Sequence, residues 1–237
     1  AAQQTSSDSD ETPLISRLTT LLQEKEESSA YEALQLAQSQ VRRLVKLGKA
    51  VEGADLAYSI SLQFLSHGYV SVASQLLALL AEVLVENAVE TTDAWVTNIS
   101  TIDTAYKTAI EDMKSSQPEE FDRLMRLHHQ FLKKIVKWTS ECGPLRFGDL
   151  QCHALLAEQC WALSSSASST TTSTTEVDEE DEYGREALRA EGVAHAALAE
   201  VPLRIGEFLN TLPPPSESQQ KMGRGGGTAA ERDCLLT

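Results

Sequence analysis

The chain has 237 residues, enough for one large domain or two small ones, and 41% of them are hydrophobic, as is ordinary for a folded protein. Its 35 acidic and 20 basic residues give a formal net charge of -15. This charge argues against a general nucleic-acid-binding protein, because neutralising phosphates requires a basic surface.

Neither the start of the chain nor its most apolar run predicts export or membrane insertion. The opening AAQQTSSDSDETP is polar and acidic, unlike the basic and then apolar start of a signal peptide. The run 76–85 is too short to cross a bilayer and contains Glu82. We therefore expect a cytosolic protein with reduced thiols and no stable membrane insertion.

The first predicted elements are a disordered start and a series of helices. Residues 1–12 form a Ser/Asp/Thr/Glu run with nothing to bury, so they are predicted to be disordered. From 13 to 163, apolar residues recur at steps of three and four, which is typical of amphipathic helices. Helices are predicted at about 13–22, 29–47, 51–66, 70–87, 93–112, 118–142 and 149–163.

Turn signals separate these helices. Gly48 and Gly68 are predicted C-cap residues, because glycine enters the left-handed region without a Cβ clash. Pro118 opens a helix, Gly143-Pro144 ends it, and Asp149 is the predicted N-cap of the next.

None of these helices can bury its apolar stripe alone, and each is followed at once by a neighbour of similar length. This arrangement predicts an all-α fold, a right-handed α-solenoid of antiparallel helix pairs. The unit resembles a tetratricopeptide repeat in size, although the consensus residues of that repeat are absent.

The composition changes after residue 163. Residues 164–182, SSSASSTTTSTTEVDEEDE, have almost no apolar content and are predicted to be a disordered Ser/Thr/acidic insertion. Residues 183–212 are alanine-rich, are interrupted by Pro202, and are predicted to be a further helical segment of the solenoid. Residues 213–237 are predicted to be a disordered tail.

The sequence predicts no enzyme, cofactor or metal site. It lacks a nucleophile elbow, a phosphate-binding loop and a dinucleotide fingerprint. Zinc ligands usually come in pairs two to four residues apart, whereas the only close pair among the cysteines and histidines of 142–160 is the directly adjacent Cys152-His153, so buried thiols are the better interpretation. His128-His129 is interpreted as a packing histidine beside a solvated one rather than as a catalytic pair.

Two basic islands interrupt the acidic chain. The first, within 31–49, has one acidic residue, Glu32, against Arg42, Arg43, Lys46 and Lys49. The second, within 123–137, has no acidic residue and contains Arg123, Arg126, Lys133, Lys134 and Lys137. Either island could orient an acidic partner, and a simple solvated helix face is the alternative for each.

Two ordered blocks of residues resemble a known family. The first is Tyr31-Glu32-Ala33-x-Gln35, Arg43, Leu56-Ala57-Tyr58-Ser59 and Phe64-Leu65-Ser66-His67-Gly68. The second is Lys137-Trp138-Thr139-Ser140, Phe147-Gly148-Asp149, His153 and Leu155. The order and separation of the two blocks resemble those of the cytosolic adaptor of the guided-entry pathway for tail-anchored proteins. This adaptor is the fourth subunit of the pathway and is also called the transmembrane-domain-recognition-complex adaptor. The resemblance covers about residues 30–161.

The resemblance implies a non-enzymatic scaffold with a solenoid of helix pairs. Adaptors of this family link a targeting ATPase, bound at the N-terminal helices, to a ubiquitin-like partner that recruits the co-chaperone carrying the client. The residues implied to face the ATPase are Tyr31, Glu32, Gln35, Arg42, Arg43, Lys46 and Lys49.

Two questions stay open at this point. Residues 164–182 and the stretch after Pro213 depart from the family pattern, which leaves binding of the ubiquitin-like partner open. The alternative function is a generic α-solenoid interaction module of a proteolytic or vesicle-traffic complex.

Overall fold

The computed structural model describes residues 20–21, 27–111, 113–166 and 179–199. All the regular structure in these ranges is helical, and no helix in them is long and apolar enough to cross a membrane. Beside the helical Thr20 and Leu21, the helices are α1 (Glu27–Lys46), α2 (Ala50–Ser66), α3 (Val70–Glu86), α4 (Asp93–Glu111), α5 (Met113–Ser116), α6 (Pro118–Cys142), α7 (Leu150–Ser166) and α8 (Glu179–Leu198).

The helices pack in two layers, so the all-α solenoid prediction is confirmed. Helix α1 packs against α2 and α3, α3 packs against α6, and α2 packs against α4. Helix α4 packs in turn against α7, which also contacts α6 and α8. Helices α1, α3 and α6 therefore form one layer and α2, α4 and α7 the other. Each helix thus buries its stripe against sequence neighbours, as a solenoid requires.

The helix boundaries follow the sequence prediction closely, apart from the short helix α5 and the edges of the 164–182 segment. The predicted helix at 13–22 lies outside the described residues except for Thr20 and Leu21, as do the predicted disordered stretches 1–12 and 213–237. The single turn α5 was not predicted.

The 164–182 segment differs from the prediction at both edges. Helix α7 continues to Ser166, and α8 already begins at Glu179, in the acidic run EEDE. Acidic residues favour a helix N-terminus because the unpaired N–H groups there carry partial positive charge. A run of residues too polar for the core can therefore begin a helix. Residues 167–178, between α7 and α8, lie outside the described ranges.

The core runs continuously through both layers and is centred on α3 and the aromatic residues that face it. Trp138 of α6 is fully buried, and its indole Nε1–H donates a hydrogen bond to the Val89 carbonyl at 2.7 Å. The Trp95 ring meets Trp138 edge-on at 6.5 Å and Tyr58 edge-on at 6.3 Å. Each fully buried large apolar side chain contributes about 1.5–3 kcal/mol. The fully buried leucines of α3 are Leu76, Leu77, Leu80 and Leu84.

The first three helices end in the same turn at twenty-residue intervals. Gly48, Gly68 and Ala88 occupy the left-handed region, with φ of 76°, 80° and 47°. Each donates its N–H to a carbonyl three residues back, and the next residue donates to a carbonyl five back, the Schellman pattern. The predicted caps Gly48 and Gly68 are confirmed, and Ala88 shows that the turn forms even with a Cβ.

The turn between α6 and α7 is held by the second of the two sequence blocks. The Asp149 carboxylate Oδ1 accepts hydrogen bonds from the N–H groups of Gln151 at 2.9 Å and Cys152 at 3.1 Å, so the predicted N-cap is confirmed. The Asp149 N–H donates to Thr139 Oγ1 at 3.1 Å. Gly148, with φ of 98°, is buried against the same hydroxyl.

A buried polar cluster lies where α4, α6 and α7 meet. His128 is fully buried, stacks on Tyr106 with ring centroids 4.3 Å apart, and places its Nε2 3.4 Å from Asp103 Oδ1. Burial, together with the positive charge of Lys107, lowers the pKa of His128 to about 3. Asp103 is ion-paired with Lys107 at 2.7 Å, and burial nevertheless raises its pKa. His128 is therefore the packing histidine that the sequence predicted.

Acidification from pH 6.5 to 5 is expected to lower the free energy of unfolding by about 2 kcal/mol through His128. Its folded pKa lies below the unfolded value, so the unfolded chain binds the proton more readily, and stability present above pH 6.5 is lost as the pH falls toward 3. The raised pKa of Asp103 acts in the opposite direction. Urea unfolding at the two pH values measures the change.

The matched variants are His128→Phe and His67→Gln. Phenylalanine keeps the stack on Tyr106 and removes the titrating ring, whose nitrogens have no hydrogen-bond partner within the described part of the chain. The pH dependence should shrink in His128→Phe and stay in His67→Gln, whose histidine is exposed. An unchanged pH dependence in His128→Phe would show that the slope comes from other groups.

Candidate partner-binding site

The exposed face of α1 carries most of the predicted partner-binding residues. At about 100° per residue, they occupy roughly a third of the helix circumference. Val41 and Leu44 on the opposite face are buried in the core, so the helix is held with this face outward. The residues on the exposed face are Tyr31, Glu32, Gln35, Arg42, Arg43 and Lys46.

Lys49 lies apart from this face. It follows the turn at Gly48, stands at the N-terminus of α2, and pairs with Glu52 at 2.8 Å. The structure therefore brings six of the seven predicted residues onto one helix face and leaves Lys49 beside it.

We name the cationic part of this face, Arg42, Arg43 and Lys46, the basic arc. Together with Gln35 and Ser39 it lines an open groove of about 450 Å³ that ends at Leu47. Leu47 is 63% exposed, so an apolar edge borders the cationic groove. Arginines beside exposed apolar side chains are typical of protein–protein interfaces.

Within the part of the chain that the structure describes, no acidic side chain neutralises the basic arc. None of its three side chains forms an ion pair with an acidic group in the described ranges. On a chain of net charge -15, these three cations are available to an acidic partner. Such complementarity sets association rate and orientation.

The second basic island is different, because acidic residues of α6 itself and of neighbouring helices pair with it. Lys133 contacts Glu191 of α8 at 2.9 Å, and Lys134 contacts Glu82 of α3 at 3.1 Å. Arg123 pairs with Glu120 at 2.5 Å and Lys137 with Glu141 at 3.7 Å. Four of its five cations are thus engaged within the chain, which favours the α1 face as the docking surface.

The buried cysteines do not form a nucleophilic site. Cys152 and Cys160 are fully buried, as predicted for packing thiols. Burial raises the pKa of the Cys160 thiol to about 12 and raises that of Cys152 further. Both therefore stay protonated near neutral pH, and a protonated thiol is a poor nucleophile.

One cluster was missed by the sequence analysis. The sequence predicts one solvated histidine in the pair His128-His129, but the His129 side chain is only 12% exposed and His128 is fully buried. His129 lies beside Cys160 of α7 and Glu191 of α8. The three come from different helices, so their spacing in sequence carries no metal signature. The available signal was the i, i+4 spacing of Glu191 and His195 on α8, which places both on one helix face.

Comparisons with known proteins point to one family. The family model of Golgi to ER traffic protein 4 matches residues 48–183. The Golgi to ER traffic protein 4 homologs of Gallus gallus and Homo sapiens are each 29% identical over 136 residues, 57% of this chain. The homolog B of Xenopus laevis is 27% identical over the same length.

A solved structure has the same fold. The crystal structure of C. therm. Get4 aligns with a TM-score of 0.53 at 17% identity, covering 90% of this chain and 67% of that chain. The chain spans 37–38% of the length of the curated relatives named above.

The family match and the candidate site overlap only at their edge. The matched residues begin at Gly48, so the α1 face lies outside them and only Lys49 of the predicted site falls inside. The site therefore depends on its own geometry, while the match covers more than half of the chain and includes the α6–α7 block. The chain belongs to the Golgi to ER traffic protein 4 family.

Proposed function

We propose that the chain is a non-enzymatic cytosolic adaptor that helps to deliver tail-anchored membrane proteins to the endoplasmic reticulum. The observation that carries the proposal is the basic arc on the outer face of α1, which has no ion-pair partner among the described residues, in a chain of this family. We expect this face to bind an acidic surface of a targeting ATPase.

The contribution of such an adaptor is proximity. The adaptor would bind the ATPase on its α1 face and the ubiquitin-like partner elsewhere on the solenoid. The co-chaperone that carries the client and the ATPase that receives it would then be held at high effective concentration, without covalent change to the client. Whether the ubiquitin-like partner binds this chain is a separate question from the α1 contact, and co-elution of the purified partner answers it.

Reversing two charges of the basic arc should abolish most of the ATPase binding. In the Arg42→Glu/Arg43→Glu variant, two attractive contacts become repulsive, and we expect an affinity loss of about 100-fold, or about 2.7 kcal/mol. Both side chains are exposed, so the fold should be unaffected. Biolayer interferometry with the purified ATPase measures the change.

The matched control reverses Arg126 and Lys137, two exposed cations of the second island. This Arg126→Glu/Lys137→Glu variant makes the same change in net charge and should bind within about threefold of the unmodified chain, because most of a long-range charge effect is screened. An unmodified chain that does not bind the ATPase contradicts the function. Equal losses in the two variants contradict the site.

A generic interaction module remains the alternative function. It requires the same solenoid but no ATPase contact, so it predicts an unmodified chain that ignores the ATPase and co-elutes with a proteolytic or vesicle-traffic complex instead.

A further inference from the structure

Three helices bring metal-ligating side chains together at one point. His129 of α6, Cys160 of α7 and Glu191 of α8 place one ligand atom each within 4.8 Å of the others. Cys160 is fully buried, and the side chains of His129 and Glu191 are 12% and 24% exposed. The point is therefore partly shielded from water, with access along Glu191.

The separations fit a small tetrahedral ion. His129 Nε2 lies 3.4 Å from Cys160 Sγ and 3.5 Å from Glu191 Oε2. Tetrahedral bonds of about 2.0–2.3 Å to nitrogen, sulfur and oxygen place neighbouring ligand atoms about 3.3–3.7 Å apart. Both measured separations fall in this range, and the third pair, Cys160 and Glu191, lies within 4.8 Å, so the three side chains are spaced to approach one ion.

The second carboxylate oxygen of Glu191 is already held. Oε1 forms an ion pair with Lys133 Nζ at 2.9 Å, and Oε2 is directed at His129. Metal-ligating carboxylates are commonly oriented by such an additional polar contact.

His195 lies next to the cluster as a fourth possible metal ligand, and its hydrogen-bond partners decide which of its ring nitrogens carries the proton. His153 Nε2 is 2.6 Å from the Phe147 carbonyl oxygen, which can only accept, so this nitrogen carries the proton. His153 Nδ1 is then an acceptor, and the His195 Nδ1 that lies 2.8 Å from it must donate. Neutral His195 therefore has a lone pair on Nε2, which lies 3.9 Å from Glu191 Oε1.

We propose that His129, Cys160 and Glu191 bind a Zn²⁺ ion and that His195 Nε2 completes its coordination. Mixed nitrogen, sulfur and carboxylate ligands suit Zn²⁺ and disfavour Mg²⁺ and Ca²⁺, which prefer oxygen. Zn²⁺ binding would displace the proton of the Cys160 thiol into solvent, and the resulting thiolate and the Glu191 carboxylate together balance the two charges of the ion. His195 is hydrogen-bonded to His153, which is in turn hydrogen-bonded to the Phe147 carbonyl. Metal-ligating histidines are commonly oriented by hydrogen bonds of this kind on the ring nitrogen that does not bind the metal.

The ion would fasten α8 to α6 and α7. Helix α8 follows residues 167–178, which lie outside the described ranges, and it packs chiefly against α7. Ligands from three helices make the bound ion a cross-link between them, so Zn²⁺ should stabilise the folded state.

Cobalt substitution on the full, reduced chain tests the proposal. Co²⁺ should bind one ion per chain with the strong visible bands of a tetrahedral site and a sulfur-to-cobalt charge-transfer band, and Zn²⁺ should displace it. Cys160→Ser should lose the charge-transfer band, and His129→Gln and His195→Gln should each weaken Co²⁺ binding at least about tenfold. Zn²⁺ should raise the Tm of the unmodified chain and not that of Cys160→Ser.

The matched control is Cys152→Ser. It removes an equally buried thiol from the same helix, outside the cluster, and should keep the full cobalt spectrum. Circular dichroism verifies that each variant is helical, and His129→Gln tests the site if Cys160→Ser does not fold. An unmodified chain without a tetrahedral cobalt spectrum overturns the proposal, as does a charge-transfer band that survives in folded Cys160→Ser.

Discussion

Trp138→Ala is expected to lower the free energy of unfolding by about 3–5 kcal/mol, the largest effect of any substitution considered for this chain. Trp138 is fully buried between the two layers, and its removal leaves a cavity beside Trp95 that the packed helices cannot close. It also leaves the Val89 carbonyl without its indole donor. Urea denaturation followed by circular dichroism measures the loss.

Trp138→Phe separates the two contributions. It fills most of the space but cannot donate to Val89, so it should cost about 1–3 kcal/mol, the penalty of an unpaired buried acceptor. The half-buried Trp161 of α7 supplies a matched tryptophan, and Trp161→Ala should cost less than Trp138→Ala. Equal losses at the two positions would contradict the central packing role of Trp138.

Gly148→Ala is expected to destabilise the protein by about 3 kcal/mol. Gly148 has φ of 98°, where an L-residue is strained by about 1–2 kcal/mol. In addition, a Cβ there would lie 2.7 Å from Thr139 Oγ1 and 3.2 Å from the Val136 carbonyl oxygen. Because that hydroxyl binds the Asp149 N–H, relieving the clash disturbs the cap of α7. Thermal and urea unfolding measure the loss.

Gly68→Ala is the control for the backbone strain alone. Its φ is 80°, and a Cβ there would meet no atom within 4 Å. It should therefore cost about 1–2 kcal/mol, clearly less than Gly148→Ala. If both variants lower the free energy of unfolding by the same amount, the contact between the new Cβ and Thr139 does not contribute to the loss.

The helices could be predicted from the sequence because their determinants are local. Apolar spacing places each buried stripe, and Gly48 and Gly68 mark helix ends through a backbone requirement that only neighbouring residues decide. The α1 face is local as well, since helical spacing alone separates Arg42 from the buried Val41.

Pairing between helices could not be predicted in this way. In the sequence the second island contains five cations and no acidic residue. In the structure Lys134 pairs with Glu82, 52 positions away, and Lys133 pairs with Glu191, 58 positions away. The cluster of His129, Cys160 and Glu191 likewise depends on how α6, α7 and α8 pack. Residues this far apart meet only through the tertiary fold, so no spacing rule detects them.

The equal spacing of the turns at Gly48, Gly68 and Ala88 has a consequence for how such a chain can change in length. Each helix with its turn is one twenty-residue unit, and successive units run in opposite directions. Duplication or loss of a single unit would reverse every helix that follows it, whereas duplication or loss of two units would preserve both direction and layer. We therefore expect natural length variation in this part of the solenoid to come in steps of about forty residues.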